Sequence, residues 1–305
     1  MKKILYIIDR FFFEKISAKG FGLMRIAWAS VILGSLLGSS QDIVRYYSDA
    51  GTLPHTLGGA VFRNIYRFTL LDTLTDPISV MLLWSTFVLC LLCTALGFKT
   101  RISTILSVIL LASFHERNPQ ILNAGDNLLR AIGFILAISP SIDAFSLDRL
   151  RKKQTVPVTM SIWPYRLLLW QLIIIYLASV WEKLHAPEWI NGSAIADIFH
   201  QTEYFRFSKI VADLLSTLSP ALSWSWLAFE LSWALLLIPT CVWNLLPERF
   251  QPRLLKRWIL IVGVFFHAGI MIFMDIGAFS LVMMTGYLGL LLKEDFEGLQ
   301  KFHSL

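Results

Sequence analysis

The chain places a few ionisable side chains where their surroundings are almost entirely apolar. Lys183 ends the apolar run LLLWQLIIIYLASVW-Glu182 and precedes a Pro-containing turn. A lysine held against apolar surface loses solvation, and its neutral amine becomes a base able to take a proton from a substrate. The alternative is an interface lysine that snorkels to water and pairs with Glu182 or Glu188. Arg25, Glu230, His267 and Asp275 lie inside other apolar runs, with Gln171 as a neutral companion. Such groups are costly in an apolar medium and mark functional positions, unless they pair with one another to fix helix packing, as Arg25 would with Glu230. Location favours function for the set. His267 and Asp275, the residues Lys183, His185 and Trp189, and Asp126 in the turn NPQILNAGDN are expected to converge on one outward-facing cavity.

Other chemistries lack their motifs. There is no phosphate-binding glycine loop, no H-E-x-x-H and no G-x-S-x-G. The histidines at 55, 115, 185, 200, 267 and 303 have no metal-ligand spacing, so no metal site is expected. Cys90 and Cys93 spell C-x-x-C inside WSTFVLCLLCTALGF. They read as two small residues on one helical face rather than as a redox pair, because nothing polar there would stabilise a thiolate. Asn191-Gly192-Ser193 matches a glycosylation sequon, and equally a turn before a helix.

The elements that must position these groups follow from composition. Of 305 residues, 56% are hydrophobic and only 16% charged, and the mean hydropathy is +0.62. Soluble domains carry about a quarter charged residues. A cytosolic enzyme, a disulfide scaffold and a disordered chain are excluded. The 11 Trp and 22 Phe suit aromatic belts at membrane interfaces. The expected fold is an all-α, polytopic transmembrane bundle of about eight crossings. Uncharged runs at 26–41, 77–98 and 167–181 supply three, and shorter runs at 102–114 and 131–142 two more. The stretch 214–247, with Glu230 as its one charge, supplies another, beginning near Pro220. The stretch 258–292 is too long for one crossing and is split at Asp275-Ile276-Gly277.

Charge placement orients this bundle with both termini cytoplasmic. Lys2, Lys3, Arg10, Lys15 and Lys19, then Lys99 and Arg101, then Arg149, Arg151, Lys152, Lys153 and Arg166 fall on inner segments, outnumbering the bases of outer loops. The net charge of +6 therefore serves insertion and contact with anionic lipid, not nucleic acid. Residues 1–19 read as a basic amphipathic helix on the inner surface rather than a secretory signal, since Asp9 and Arg10 break the apolar run. Residues 20–292 form the transmembrane domain, with the inner loop 149–164 dividing it into two halves, and 293–305 a short cytoplasmic tail. The expected location is the cell (inner) membrane.

These residues resemble the HTTM-domain family, whose best-known relative is vitamin K-dependent gamma-glutamyl carboxylase. The resemblance runs from about residue 18 to 292. Its strongest block is Phe266-His267 followed by Ile276, Gly277, Phe279, Ser280, Val282 and Met283. A second is Gln171 and Tyr176, then Lys183-Leu184, Trp189 and Gly192. Arg25 and the Leu96-Gly97 to Arg101-Ile102-Ser103 turn match more weakly, and Glu230 stands where the carboxylase has an acidic residue.

The resemblance implies that Lys183 is a base activating a reduced quinone, in an apolar slot that excludes water. His267 and Asp126 would shape the pocket. Arg25, Gln171, Tyr176, Trp189, Gly192, Glu230, Asp275 and Ser280 would line or support it. The carboxylase has a histidine near the place of Asp126 and a large lumenal region, so full vitamin K-dependent carboxylation is not expected. Two functions from different classes follow. One is a membrane enzyme acting on a lipid-soluble or peptide substrate at the outward face. The other is a non-catalytic membrane component that binds a small secreted peptide or helps a partner membrane protein mature it, since one branch of the family resembles the membrane component that matures the sporulation-delaying toxin. A transporter ranks below both, since the halves show no repeat.

Overall fold

The computed structural model describes residues 2–57, 69–238 and 252–297. Helices dominate. In chain order they are α1 (Lys2–Phe13), α2 (Lys19–Gly38), α3 (Ile43–Tyr47), α4 (Pro77–Leu96), α5 (Thr100–Arg117), α6 (Ala124–Ile138), α7 (Leu147–Arg151) and α8 (Trp163–Leu184). There follow α9 (Pro187–Asn191), α10 (Ala194–Phe199), α11 (Lys209–Ser216), α12 (Ser219–Ser232), α13 (Pro252–Phe273) and α14 (Phe279–Gly289). The exception to the all-α expectation is a short ribbon of β1 (Lys15–Ser17) antiparallel to β2 (Thr159–Ser161), with Ile16 opposite Met160.

Four of the described helices, α2, α4, α8 and α13, are long and apolar enough to cross a membrane. In α4, α8 and α13 only 22%, 28% and 33% of the apolar window is buried inside the protein. Ile78, Leu82, Ile174, Trp258 and Phe265 are more than half exposed. Apolar surface on that scale needs lipid against it. The chain is an apolar-helix membrane protein; the shorter run at 102–114 lies within α5, and that at 131–142 runs past the end of α6 at Ile138. In α5 the usual polarity is inverted: Ile102, Leu106 and Ile109 face outward, while Thr100, Ser103, Thr104 and Ser107 are buried. Small hydroxyl residues let membrane helices approach closely, and Thr94 and Ser107 hydrogen-bond between α4 and α5 at 3.2 Å.

Local chemistry sets the boundaries. Asp76 caps α4 by accepting from the Ile78 and Ser79 N–H groups, with Pro77 in its first turn, and Gly97 ends it at φ 68°. The next residue but one, Lys99, also lies in the left-handed region (φ 43°) and gives α5 no side-chain cap. Asp148 supplies the cap from a distance, accepting from the Lys99 N–H at 2.9 Å and from the Thr100 N–H and hydroxyl, each at 2.8 Å. Burial works against its charge, but the Thr100 and Lys99 donors and the Lys152 charge hold its carboxyl below the ordinary aspartate value of 3.8. The stabilisation is therefore complete above that value and fades as pH falls through the lowered one. Asp148→Ala is expected to cost about 1–2 kcal/mol, read from unfolding at neutral pH, and to flatten the loss of stability below pH 4 or so.

The described residues form two compact units, 1–168 with 281–305, and 169–280. The division thus falls within α8 and not at the 149–164 loop, and the last helix returns to the first unit. There the absence of a side chain at Gly289 admits Leu168 and Met24, and Gly20 packs against the carbonyls of Leu288 and Leu291. Within this unit Arg25 is fully buried. Its guanidinium donates to the Ile142 and Phe145 carbonyls at 3.2 and 3.1 Å, so backbone oxygens take the place expected for Glu230.

The second unit holds α9 to α13 and most of α8. The expected span at 214–247 begins at Ser219 with Pro220 in its first turn and continues past α12 as a 3-10 turn, Trp233–Leu237; residues 239–247 lie outside the described ones. The apolar stretch at 258–292 does break at Asp275-Ile276-Gly277, between α13 and α14, with Gly277 at φ 61°.

Candidate functional site

Helix periodicity places Tyr176, Ser179 and Lys183 on one face of α8, and Trp226, Phe229, Glu230 and the following Trp233 on one face of α12. These faces meet. The Lys183 Nζ donates to Glu230 Oε1 at 2.6 Å and to Ser179 Oγ at 2.9 Å, and Ser179 Oγ donates onward to the same Glu230 oxygen at 3.0 Å. The Trp226 indole N–H adds a fourth contact, to Oε1 at 3.0 Å. The side chains of Lys183 and Glu230 are 15% and 5% exposed. Neither Glu182 nor Glu188 is the lysine's partner; Glu230 is. Glu230 Oε2 is buried and has no hydrogen-bond partner among the described residues.

Two indole faces complete the surroundings of the amine. Lys183 Nζ lies 4.7 Å from the Trp189 ring centroid and 5.1 Å from that of Trp226, within cation–π range. Trp189 is delivered by α9, and the turn after it is shaped by Gly192 at φ 84°. The Gly192 carbonyl accepts from Ser219 Oγ at 2.7 Å and Ser223 Oγ at 3.3 Å. Those hydroxyls also accept from the Ala196 and Ile195 N–H groups, at 2.8 and 3.3 Å, tying the start of α10 to α12. His185 turns away, its Nδ1 on the Trp181 carbonyl at 2.7 Å.

Two helical turns along α8, about 10 Å from the lysine by helix rise, lies a second layer. The Tyr176 hydroxyl meets His267 Nε2 at 3.1 Å, and the Tyr176 ring stacks on Trp233 at 4.6 Å between centroids. His267 is 1% exposed, between Phe266 and Phe279. Phe266 joins the layers, its ring 4.1 Å from Trp226 and 4.8 Å from Phe229. Beyond Trp226 is an apolar cavity of about 350 Å³, lined by Ile195, Phe199, Leu222, Phe266 and Phe273 among others.

The other expected residues have contacts of their own. Asp275 is exposed and pairs with Arg206 at 3.1 Å, where the 204–206 loop is stitched to the end of α13. Gln171 is half-buried on α8. Ser280 is buried, its hydroxyl without a partner among the described residues. Asp126 belongs to the first unit, in a capping box with Asn123 at the start of α6, with its Oδ1 3.8 Å from His115 Nε2. The structure thus gathers Glu230, Ser179, Trp189 and Trp226 around Lys183, and Tyr176 and Trp233 around His267. Ser179, Trp226 and Trp233 were missed by sequence reading. Their signal was spacing alone: four before Lys183, four before Glu230, three after it.

Neither the curated proteins nor the solved structures compared with this chain gave a match. The model of the HTTM domain matches residues 17–295, which takes in the second unit, with the lysine–glutamate pair and the histidine layer, and most of the first, and the chain accordingly belongs to the HTTM-domain family of carboxylase-like membrane proteins.

Proposed function

We propose that this protein is a membrane-embedded enzyme that draws a proton from a lipid-soluble or peptide substrate, with Lys183 as the base. It would sit in the cell (inner) membrane, crossing about eight times, with both termini cytoplasmic and the lysine toward the outward face. The observation that carries the reading is the buried Lys183–Glu230 pair, 2.6 Å apart, with Glu230 Oε2 left over as an acceptor. In this dry site the lysine can pass its proton to Glu230, turning an ion pair into a neutral amine and a neutral acid without separating charge. The amine is then free to accept a substrate proton, and Ser179 holds both partners in place. Trp189 and Trp226 keep water out.

A reduced quinone, the cofactor the resemblance implies, fits the residues present. The cavity beyond Trp226 is apolar, and Glu230 Oε2 is an acceptor in want of a donor. When bound, a quinol supplies an acidic ring hydroxyl; Lys183 and Glu230 would hold it. His267 and Tyr176 would fix the deeper wall.

A second reading rests on how well satisfied Lys183 is. A carboxylate, a hydroxyl and two indole faces are what a purely structural ammonium would have. On that reading the protein is a non-catalytic component that binds a small secreted peptide or helps mature it. Identification by mass spectrometry of what copurifies with the detergent-solubilised protein separates the two. Conversion of that ligand by wild type and not by Lys183→Ala supports the base; equal conversion by a folded variant rejects it. A peptide recovered unchanged from both supports the second reading.

A further inference from the structure

We infer that one end of the first unit is a docking surface for anionic phospholipid headgroups, with α1 embedded in the interface beside them. The inference is independent of what Lys183 does.

α1 is about 18 Å long at the helix rise per residue, too short to cross an apolar core of about 30 Å. Yet Leu5, Ile8 and Phe12, at helical spacing on one face, are 59%, 47% and 44% exposed, with Phe11 beside them at 40%. The opposite side carries exposed Asp9 and Arg10, with the Tyr6 ring under the Arg10 guanidinium and the Phe13 ring beside it. A short helix with an apolar face and a polar back lies in the membrane interface rather than across it. It is also held there. The Arg166 guanidinium stacks 4.1 Å from the Phe11 ring, the Ile162 N–H donates to the Glu14 carbonyl at 2.9 Å, and β1 pairs with β2. These contacts fasten α1 to the start of the membrane helix α8.

The same end collects basic residues that are far apart in sequence. The Ala18 N–H bonds the Val158 carbonyl, the Asp148 N–H bonds the Gly97 carbonyl, and Arg151 lies over the Phe98 ring. Lys15, Lys19, Lys99, Arg151, Lys152 and Lys153 are thereby brought to one region, all exposed. Two of the carboxylates among them are already engaged, Asp148 with the start of α5 and Asp143 with Arg149 at 3.8 Å. Exposed Asp9 and Glu14 remain, and Glu14 pairs with Arg10 at 3.8 Å. Glu294, Asp295 and Glu297 also lie at this end, around Phe296, whose ring is 5.6 Å from the Lys19 Nζ; Glu297 pairs with Lys293 at 3.4 Å and Asp295 accepts from the Leu292 N–H. The surplus is positive, next to an apolar helix at membrane depth. Phosphate-bearing anionic headgroups complement both features; each basic group near such a surface adds about 1 kcal/mol.

The test uses the full chain in lipid nanodiscs, with Cys90, Cys93 and Cys241 replaced by Ala. A nitroxide placed through Ile8→Cys is expected to be more accessible to oxygen than to an aqueous nickel chelate, and one placed through Arg10→Cys the reverse. Native mass spectrometry from mixed phosphatidylglycerol and phosphatidylcholine is expected to show preferential retention of phosphatidylglycerol. That preference should fall at least about fivefold when Arg151, Lys152 and Lys153 are all changed to Gln. Equal accessibility at the two nitroxide sites overturns the placement of α1. Retention of the two lipids without preference, or a preference unmoved in the triple variant, overturns the headgroup surface.

Discussion

Lys183→Ala is expected to lower turnover at least about 100-fold, the usual loss when a positioned general base is removed. The same change strips Glu230 of its counter-charge. Glu230 keeps the Ser179 and Trp226 donors, but its charge is then buried alone among aromatic rings. Breaking such a pair from one side costs about 3–5 kcal/mol, whereas replacing both members by neutral groups of similar volume is close to neutral. The single variant is therefore ambiguous by itself, and the double variant Lys183→Met with Glu230→Gln removes the ambiguity. Its midpoint of thermal unfolding in detergent should return near that of wild type. If Lys183 is the base, turnover stays lost in this restored fold. If the pair only fastens α8 to α12, turnover returns with stability, and the catalytic reading is wrong.

Much of the fold was legible because bilayer and helix geometry impose it on the sequence. The α4 span, which the structure ends with Asp76-Pro77 at one side and Gly97 at the other, was marked by its uncharged length, 77–98. So was the break at Asp275-Gly277, where a charge and a glycine interrupt a run too long for one crossing. Partners were not legible. Glu182 and Glu188 are nearest to Lys183 along the chain, but helix rotation turns Glu182 off the lysine's face, and the true partner is remote in sequence. Arg25 was expected to need a carboxylate. Backbone carbonyls at 142 and 145 satisfy it, and irregular backbone has no signature that names its acceptor. α5 was hard to size for a related reason. Its buried face carries hydroxyls, so the polar residues that lower its hydropathy are those turned inward. Trp189 was expected near Lys183 but Trp226 was not, and only coordinates put both rings over one amine.

The geometry around that amine depends on a residue with no side chain. Gly192 holds φ 84°, and a methyl group there would meet the Pro220 Cα at 2.8 Å and Cβ at 3.0 Å. Neither is the tip of a flexible side chain that can swing aside. Gly192→Ala thus combines left-handed backbone strain, about 1 kcal/mol or more, with crowding of about 1–3 kcal/mol against the first turn of α12. The backbone can relieve this only by moving away from α12, which lengthens the Ser219 and Ser223 hydrogen bonds to the 192 carbonyl. α9 moves with it, and Trp189 leaves its place over Lys183. Two readings follow together: an unfolding transition lowered by about 2–4 kcal/mol, and faster labelling of Lys183 by a water-soluble amine reagent, quantified by mass spectrometry. Ser193→Ala, one residue on but outside these contacts to α12, should change neither. A Gly192→Ala protein with wild-type stability and unchanged Lys183 labelling would show that the turn does not hold the indole in place.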